Sequence, residues 1–187
     1  MKMKFLRFKN VKSTNDEAIK LIKKDITKPT LISADKQTRG RGTMGKKWLS
    51  IKGNLFISIF FEINQKKINF KQLAVLNAYL IRKILKKYIL KNIKIKWPND
   101  LLIERKKVCG ILQEVIEKND RQFLIVGIGI NTLNAPKIKN FETTYLKKFS
   151  KKKINNEKLL KDIKLTYEKF IYQINKNNFL NLKKQIK

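Results

Sequence analysis

Lys96-Trp97-Pro98-Asn99-Asp100, with Lys107 seven residues further on and Cys109-Gly110-Ile111-Leu112 close behind, gathers residue types that can do chemistry. Pro98 disfavours helix at Trp97 and ends a strand there, which leaves Asn99 and Asp100 at a sheet edge with their polar groups outward. If Lys107 opens the neighbouring strand, a short excursion over Leu101 to Lys106 returns its ammonium to the side of Asp100. A lysine so placed can hold a carboxylate and a phosphate at once, because one positive charge lowers the repulsion between two anions. The plain alternative, a Trp-Pro turn with a surface ion pair, is worth at most ~1 kcal/mol. The pentapeptide is specific enough to favour the chemical reading.

Three further stretches carry possible chemistry. Gln37-Thr38-Arg39-Gly40-Arg41-Gly42-Thr43-Met44-Gly45-Lys46-Lys47-Trp48 reads as a mobile loop in which glycines let backbone N–H groups approach an anion and arginines add fork-shaped charge. Taken alone it is better explained by a basic surface loop, because short Gly/Arg runs are common. Trp48 at its end tilts the balance, since an indole can stack on a planar base. Gly127-Ile128-Gly129-Ile130-Asn131 places two glycines inside a strand, a sign of a bulge or a close backbone approach, and Asn131 can pair in both directions with a purine edge. No third glycine and no opening helix follow, so this is not the dinucleotide fingerprint. Ser13-Thr14-Asn15 precedes a helical pattern, and on its own reads as an N-cap.

Composition narrows the classes. Histidine is absent from the 187 residues and Cys109 is the single cysteine, which removes histidine-based nucleophilic chemistry, the commonest zinc ligand and any internal disulfide. Cys109 sits in an apolar strand and reads as a buried structural thiol. The net charge of +31 has the look of a nucleic-acid footprint, but 39 of the 45 basic residues are lysines spread along the chain. Lys, Ile and Asn, all with A/T-rich codons, fill 83 positions, so codon bias accounts for the excess and no specific DNA binding is expected. The N-terminus lacks an apolar run long enough for a signal peptide, and Leu55 to Phe61 is too short to span a bilayer. A cytoplasmic protein with no membrane partner is expected.

The elements that must position these residues follow from periodicity. Met3 to Phe8, Thr30 to Ala34, Asn54 to Phe61, Ile93 to Trp97, Lys107 to Ile116 and Phe123 to Ile130 read as strands, with Asn119-Asp120 turning between the last two. Ser13 or Thr14 opens a first helix with Glu17 placed as in a capping box. Asn69 to Tyr88 carries a 3.6-residue apolar period, and Asn155 or Asn156 caps a last helix to about Ile174, with a helical tail through Phe179 and Leu182. Ile138 to Ile154 has no clear pattern. The sum is an α+β domain: a mostly antiparallel sheet with helices packed on one face.

All four motifs stand in the order and approximate spacing of the biotin–protein ligase catalytic domain, which the chain resembles from near Ser13 to Asn131, and the final helices extend the likeness. The Lys-Trp-Pro-Asn-Asp box and the Gly-Arg-Gly loop ending in Trp set it apart from lipoate ligases and octanoyltransferases. The resemblance implies the biotin–lipoate ligase fold, akin to class II synthetases. It implies a two-step reaction in which biotin and Mg-ATP give biotinyl-adenylate, and a lysine of a biotin carboxyl carrier protein domain then takes the biotin. It implies that Ser13, Thr14, Asn15 and Gln37 hold the biotin rings with Gly110 alongside. Arg41, Gly42 and Thr43 would cover the carboxylate–phosphate junction, and Lys107 would grip the reacting oxygens. Asp100 would orient or deprotonate the acceptor lysine and help place Mg²⁺. Trp48 and Asn131 would bind adenine, with Asn99 near the phosphates.

Three departures stand out. Thr43 and Met44 occupy places where the family loop carries a further arginine, which predicts slower adenylation or earlier release of the intermediate unless Lys46 or Lys47 substitutes. The expectation from the sequence is a catalytic domain without the winged-helix DNA reader of some members and without the family's small C-terminal β-barrel. Residues 1–187 are expected to form a single catalytic domain. Two other readings remain open: a lipoate or other acyl ligase of the same fold, and a basic nucleic-acid-binding protein that has lost the chemistry.

Overall fold

The computed structural model describes residues 2–63 and 69–175. Seven strands form one sheet: β1 (Lys4–Val11), β2 (Thr30–Gln37), β3 (Leu55–Ile63), β4 (Ile93–Lys96), β5 (Asp100–Ile103), β6 (Lys106–Lys118) and β7 (Arg121–Ile130). They lie in the order β1-β2-β3-β7-β6-β5-β4, and only β1 and β2 run parallel. The α+β class and the mostly antiparallel sheet expected from the sequence are both found.

Among the described residues three helices flank the sheet: α1 (Thr14–Lys23), α2 (Phe70–Leu85) and α3 (Asn156–Asn175). The expectation that all pack on one face is corrected, because the sheet is apolar on both faces. Leu55, Ile57, Ile59 and Phe61 of β3 and Leu124, Val126, Ile128 and Ile130 of β7 join the main core with α2 and α3. The alternate residues Ile32, Phe60, Phe123 and Ile125 form a second cluster with Ala18 and Ile22 of α1 on the opposite face. A strand buried on both sides loses the polar–apolar alternation that would have announced a second helical layer.

Several boundaries shift for local reasons. Leu101 to Ile103, expected as an excursion, belongs to β5, which returns to β6 through Glu104 and Arg105 at φ 48° and 65°. Asn119 and Asp120 make the expected turn at φ 48° and 57°, the two left-handed positions a tight hairpin needs. Asn69 caps α2 in a reciprocal box with Gln72. At α1 the expected box does not form: Ser13 makes no side-chain cap bond, and Glu17 pairs with Lys20 at 2.7 Å. Residues 138–154 hold only a 3₁₀ turn at Leu146–Phe149. The tail expected through Phe179 and Leu182 lies outside the described residues.

The second face of the sheet carries bulky side chains at one end and glycines at the other. Along β7 the positions facing α1 read Phe123, Ile125, Gly127, Gly129, and opposite them on β6 stand Ile116, Glu114, Leu112, Gly110. The large residues pack under α1, and beyond them the glycines leave a gap that Asn15 and the Trp48 ring enter. That gap is the floor of a cleft.

Candidate active site

A cleft of about 450 Å³, open to solvent on one side, is lined by Ser13, Thr14, Asn15, Gln37, Arg41, Gly42, Thr43, Trp48, Asn99, Asp100, Lys107 and Gly110, together with β6 and β7 residues of its floor. Every site residue expected from the sequence except Asn131 lines it. They come from the start of α1, the end of β2, the following loop, the β4–β5 turn and the start of β6.

Lys107 and Asp100 meet at the centre. Lys107 Nζ lies 2.7 Å from Asp100 Oδ1, with side chains 19% and 20% exposed. A regular strand would put Lys107 and Gly110 on opposite faces, three residues apart as they are. An irregularity in pairing solves this: Leu101 pairs with Cys109 but Leu102 pairs with Lys107, so β6 carries an extra residue at Val108. Val108 and Cys109 both enter the core, and Lys107 turns to the cleft beside Gly110. Segment 142–144 then clasps Lys107 through its backbone, Lys107 N–H to the Glu142 carbonyl at 2.9 Å and Thr144 N–H to the Lys107 carbonyl at 2.8 Å. The ammonium also stands 5.6 Å from the Trp48 ring centre and 5.4 Å from that of Phe141. On the other side of the strand, burial pushes the Cys109 thiol well above its usual range, with Asp100 adding to the rise, so it stays protonated and inert.

The Trp-Pro turn contains a cis Trp97–Pro98 bond. It brings Asn99 against Ile111, which it holds twice: Ile111 N–H donates to the Asn99 carbonyl at 2.9 Å and Asn99 Nδ2 donates to the Ile111 carbonyl at 3.0 Å. Residues 40–48 form a small hairpin rather than an open loop. Gly42 N–H donates to Lys46 and Trp48 N–H to Gly40, with Met44 and Gly45 at the tip at φ 54° and 72°. Thr43 faces the cleft and Met44 is fully exposed. The indole of Trp48 lies on the floor glycines: a Cβ at Gly110 would stand 2.7 Å from its ring, and one at Gly129 would overlap it. Its Nε1–H is buried with no hydrogen-bond partner among the described residues. Both glycines are therefore required by an aromatic ring laid flat on the sheet.

At the far end, Gln37 Oε1 accepts from Thr14 N–H at 2.8 Å and from the Thr14 hydroxyl at 3.1 Å. Ser58, which sequence reading missed, donates to Asn15 Oδ1 at 2.5 Å and lies 2.7 Å from Thr14 Oγ1. Asn15 Nδ2 donates to Glu114, and Arg41 reaches both Glu114 and Asp16. Asn131 stands apart. It is buried, its amide donates to the Thr144 carbonyl at 3.1 Å, and its oxygen lies 3.4 Å from Asn54 Nδ2. The two-way pairing with a purine that its position suggested would require those bonds to be exchanged.

Comparison with known proteins agrees with this geometry. Residues 7–131 match the model of the biotin/lipoate A/B protein ligase family, and the chain belongs to that family. It is 34% identical over 164 residues to the bifunctional ligase/repressor BirA of Bacillus subtilis, covering 84% of this chain and 50% of the relative. It is 32% identical over 127 residues to the biotin–[acetyl-CoA-carboxylase] ligase of Paracoccus denitrificans, covering 66% and 52%. The chain thus spans about half the length of the curated relatives it matches. Its fold is that of biotin–protein ligase catalytic domains: the Aquifex aeolicus enzyme, solved with biotin and ATP, superposes with a TM-score of 0.78 at 30% identity, over 98% of this chain and 76% of that one.

Proposed function

We propose that the protein is an ATP-dependent biotin–protein ligase. A biotin carboxylate oxygen attacks the α-phosphorus of ATP, pyrophosphate leaves, and biotinyl-adenylate remains in the cleft. The amine of an acceptor lysine, on a biotin carboxyl carrier protein domain, then attacks the acyl carbon, an amide forms, AMP leaves, and the amine proton passes to a base. The observation that carries this reading is one cleft in which a largely buried ammonium, a carboxylate, an arginine hairpin and a glycine floor that seats the Trp48 ring converge from separated parts of the chain.

Each step makes a demand that a residue here can meet. Bringing a carboxylate onto a phosphate opposes two negative charges, and Lys107 supplies the counter-charge where water is scarce. Asp100, already within 2.7 Å of that ammonium, is placed to orient the acceptor amine and take its proton. Ser13, Thr14, Asn15 and Gln37 offer the polar groups for the biotin ring system at the closed end, with Gly110 beside it. Arg41, Gly42 and Thr43 roof the junction, Trp48 offers a stacking face, and Asn99 borders the nucleotide end; Asn131, buried outside the cleft, would reach a base only by exchanging its present bonds.

Mg²⁺ would enter with ATP as part of the substrate. Asp100 would be the carboxylate to meet that ion, but among the described residues no group of three carboxylate, thiol or imidazole side chains gathers to hold a cation by itself. This donor set does not fit a resident metal, and the reading uses none. No helix among the described residues is long and apolar enough to cross a membrane.

Exchange of labelled pyrophosphate into ATP tests the reading. Exchange that requires biotin supports it. Exchange driven by lipoate, or by neither acid, overturns it.

A further inference from the structure

We propose that Glu114 is a positioning residue that sets the aim of both Asn15 and Arg41, and so determines affinity for the acid substrate; the inference rests on the ligase reading above. Glu114 sits on β6 in the row facing α1, two positions beyond Leu112 and opposite Ile125. A carboxylate set between Leu112 and Ile116 in that row needs an explanation. Its Oε2 accepts from Asn15 Nδ2 at 2.6 Å and from Arg41 Nη2 at 2.6 Å, while Arg41 Nε reaches Asp16 at 3.0 Å. One oxygen thereby joins the first turn of α1 to the glycine–arginine hairpin.

The consequence for Asn15 is directional. An ionised carboxylate only accepts hydrogen bonds, so Asn15 must turn its NH₂ toward Glu114. Its Oδ1 then points the other way, to Ser58 Oγ and over Gly127, where any Cβ would overlap the amide. Which end of this amide faces the cleft is thus decided by the charge on Glu114. For Arg41 the consequence is placement: a guanidinium between two carboxylates is held at the cleft rim, and the hairpin that carries it is held with it.

Three measurements on the full chain test this, using Glu114→Gln and Glu114→Asp beside the unaltered protein: pyrophosphate exchange, trypsin cleavage within residues 39–47, and melting temperature. Glu114→Gln keeps the shape but removes the charge, and its amide no longer dictates the orientation of Asn15. Loss of a charged hydrogen-bond acceptor predicts a roughly tenfold higher KM for biotin, kcat within about threefold, and roughly tenfold faster nicking at Arg39 or Arg41. Glu114→Asp retains the charge and is expected to fall between the two. KM and nicking within about twofold of the unaltered protein in Glu114→Gln overturn the proposal, as does a fall in melting temperature with no change in either. Absence of biotin-dependent exchange in the unaltered protein overturns the ligase reading instead, and the nicking comparison still decides the role of Glu114.

Discussion

Replacing Lys107 by methionine removes the ammonium and keeps most of the side-chain volume. The gain it supplies can be worked from its surroundings. An anionic oxygen about 4 Å from an ammonium gains roughly 4 kcal/mol at an effective dielectric of about 20. Lys107 would serve a carboxylate and a phosphate, and Asp100 at 2.7 Å cancels part of its field. A net loss of roughly 3–4 kcal/mol is expected at the transition state, a fall of about 10²–10³ in the adenylation rate. Stability changes as well, because the uncharged replacement leaves a four-fifths-buried Asp100 without its partner. The double variant Lys107→Met/Asp100→Asn removes that orphan charge and should recover melting temperature without recovering rate. Lys107→Arg keeps the charge but must fit a planar fork where the stem packs close to Gly110, a Cβ there standing 3.2 Å from Lys107 Cε, so it should rescue little. The assay is biotin-dependent pyrophosphate exchange at equal folded fraction. A Lys107→Met protein exchanging within about threefold of the unaltered one would refute the electrostatic argument.

Other regions give further tests. Thr43 faces the cleft, at the place where the resemblance implies a further loop arginine; Thr43→Arg adds a charge-assisted contact and should lengthen the lifetime of bound adenylate roughly tenfold, measured by chase after single-turnover loading. Cys109, fully buried with its thiol pushed up by burial, should resist a thiol reagent at about pH 8 in the native state and react at once in denaturant. Glu168 tests the outer core. Burial would raise its pKa, but the Lys164 ammonium at 2.6 Å and the Met3 backbone N–H at 2.7 Å hold it below the usual 4.5. A depressed folded pKa contributes stability above the unfolded value and loses it as pH falls through the folded one. Glu168→Gln should therefore cost roughly 1–2 kcal/mol at about pH 7, and the difference should close below pH 4.5, as followed by urea melts.

The sequence made the cleft legible because its residues fall in short local motifs. Lys96 to Asp100, residues 37–48 and Gly127 to Asn131 each announce themselves within a short run of positions, and the fold brings them together. What escaped depends on pairing across the sheet. The bulge at Val108 that turns Lys107 toward Asp100 is visible only against β5. The two-faced sheet escaped because β3 and β7 are apolar on both sides, so no alternation showed where α1 would pack. Glu114 looked like one more polar residue near a strand end until Asn15 and Arg41 arrived beside it from 99 and 73 residues away. Phe141, whose ring faces the Lys107 ammonium, sits in a segment with no periodicity to read. Asn131 was placed correctly at the end of its strand, but its partners, Thr144 and Asn54, are contributed by loops.

The central claim is that an acid and ATP are joined in the cleft beside Lys107 and Asp100. Mass spectrometry of the intact protein under non-denaturing conditions, after incubation with biotin and Mg-ATP, reads this directly. When samples are taken as soon as the unaltered protein is fully loaded, the account predicts one bound biotinyl-adenylate per chain there and about a hundredfold less in Lys107→Met. Bound biotin and ATP as separate species with no adenylate, or loading of Lys107→Met at the unaltered rate, would contradict it.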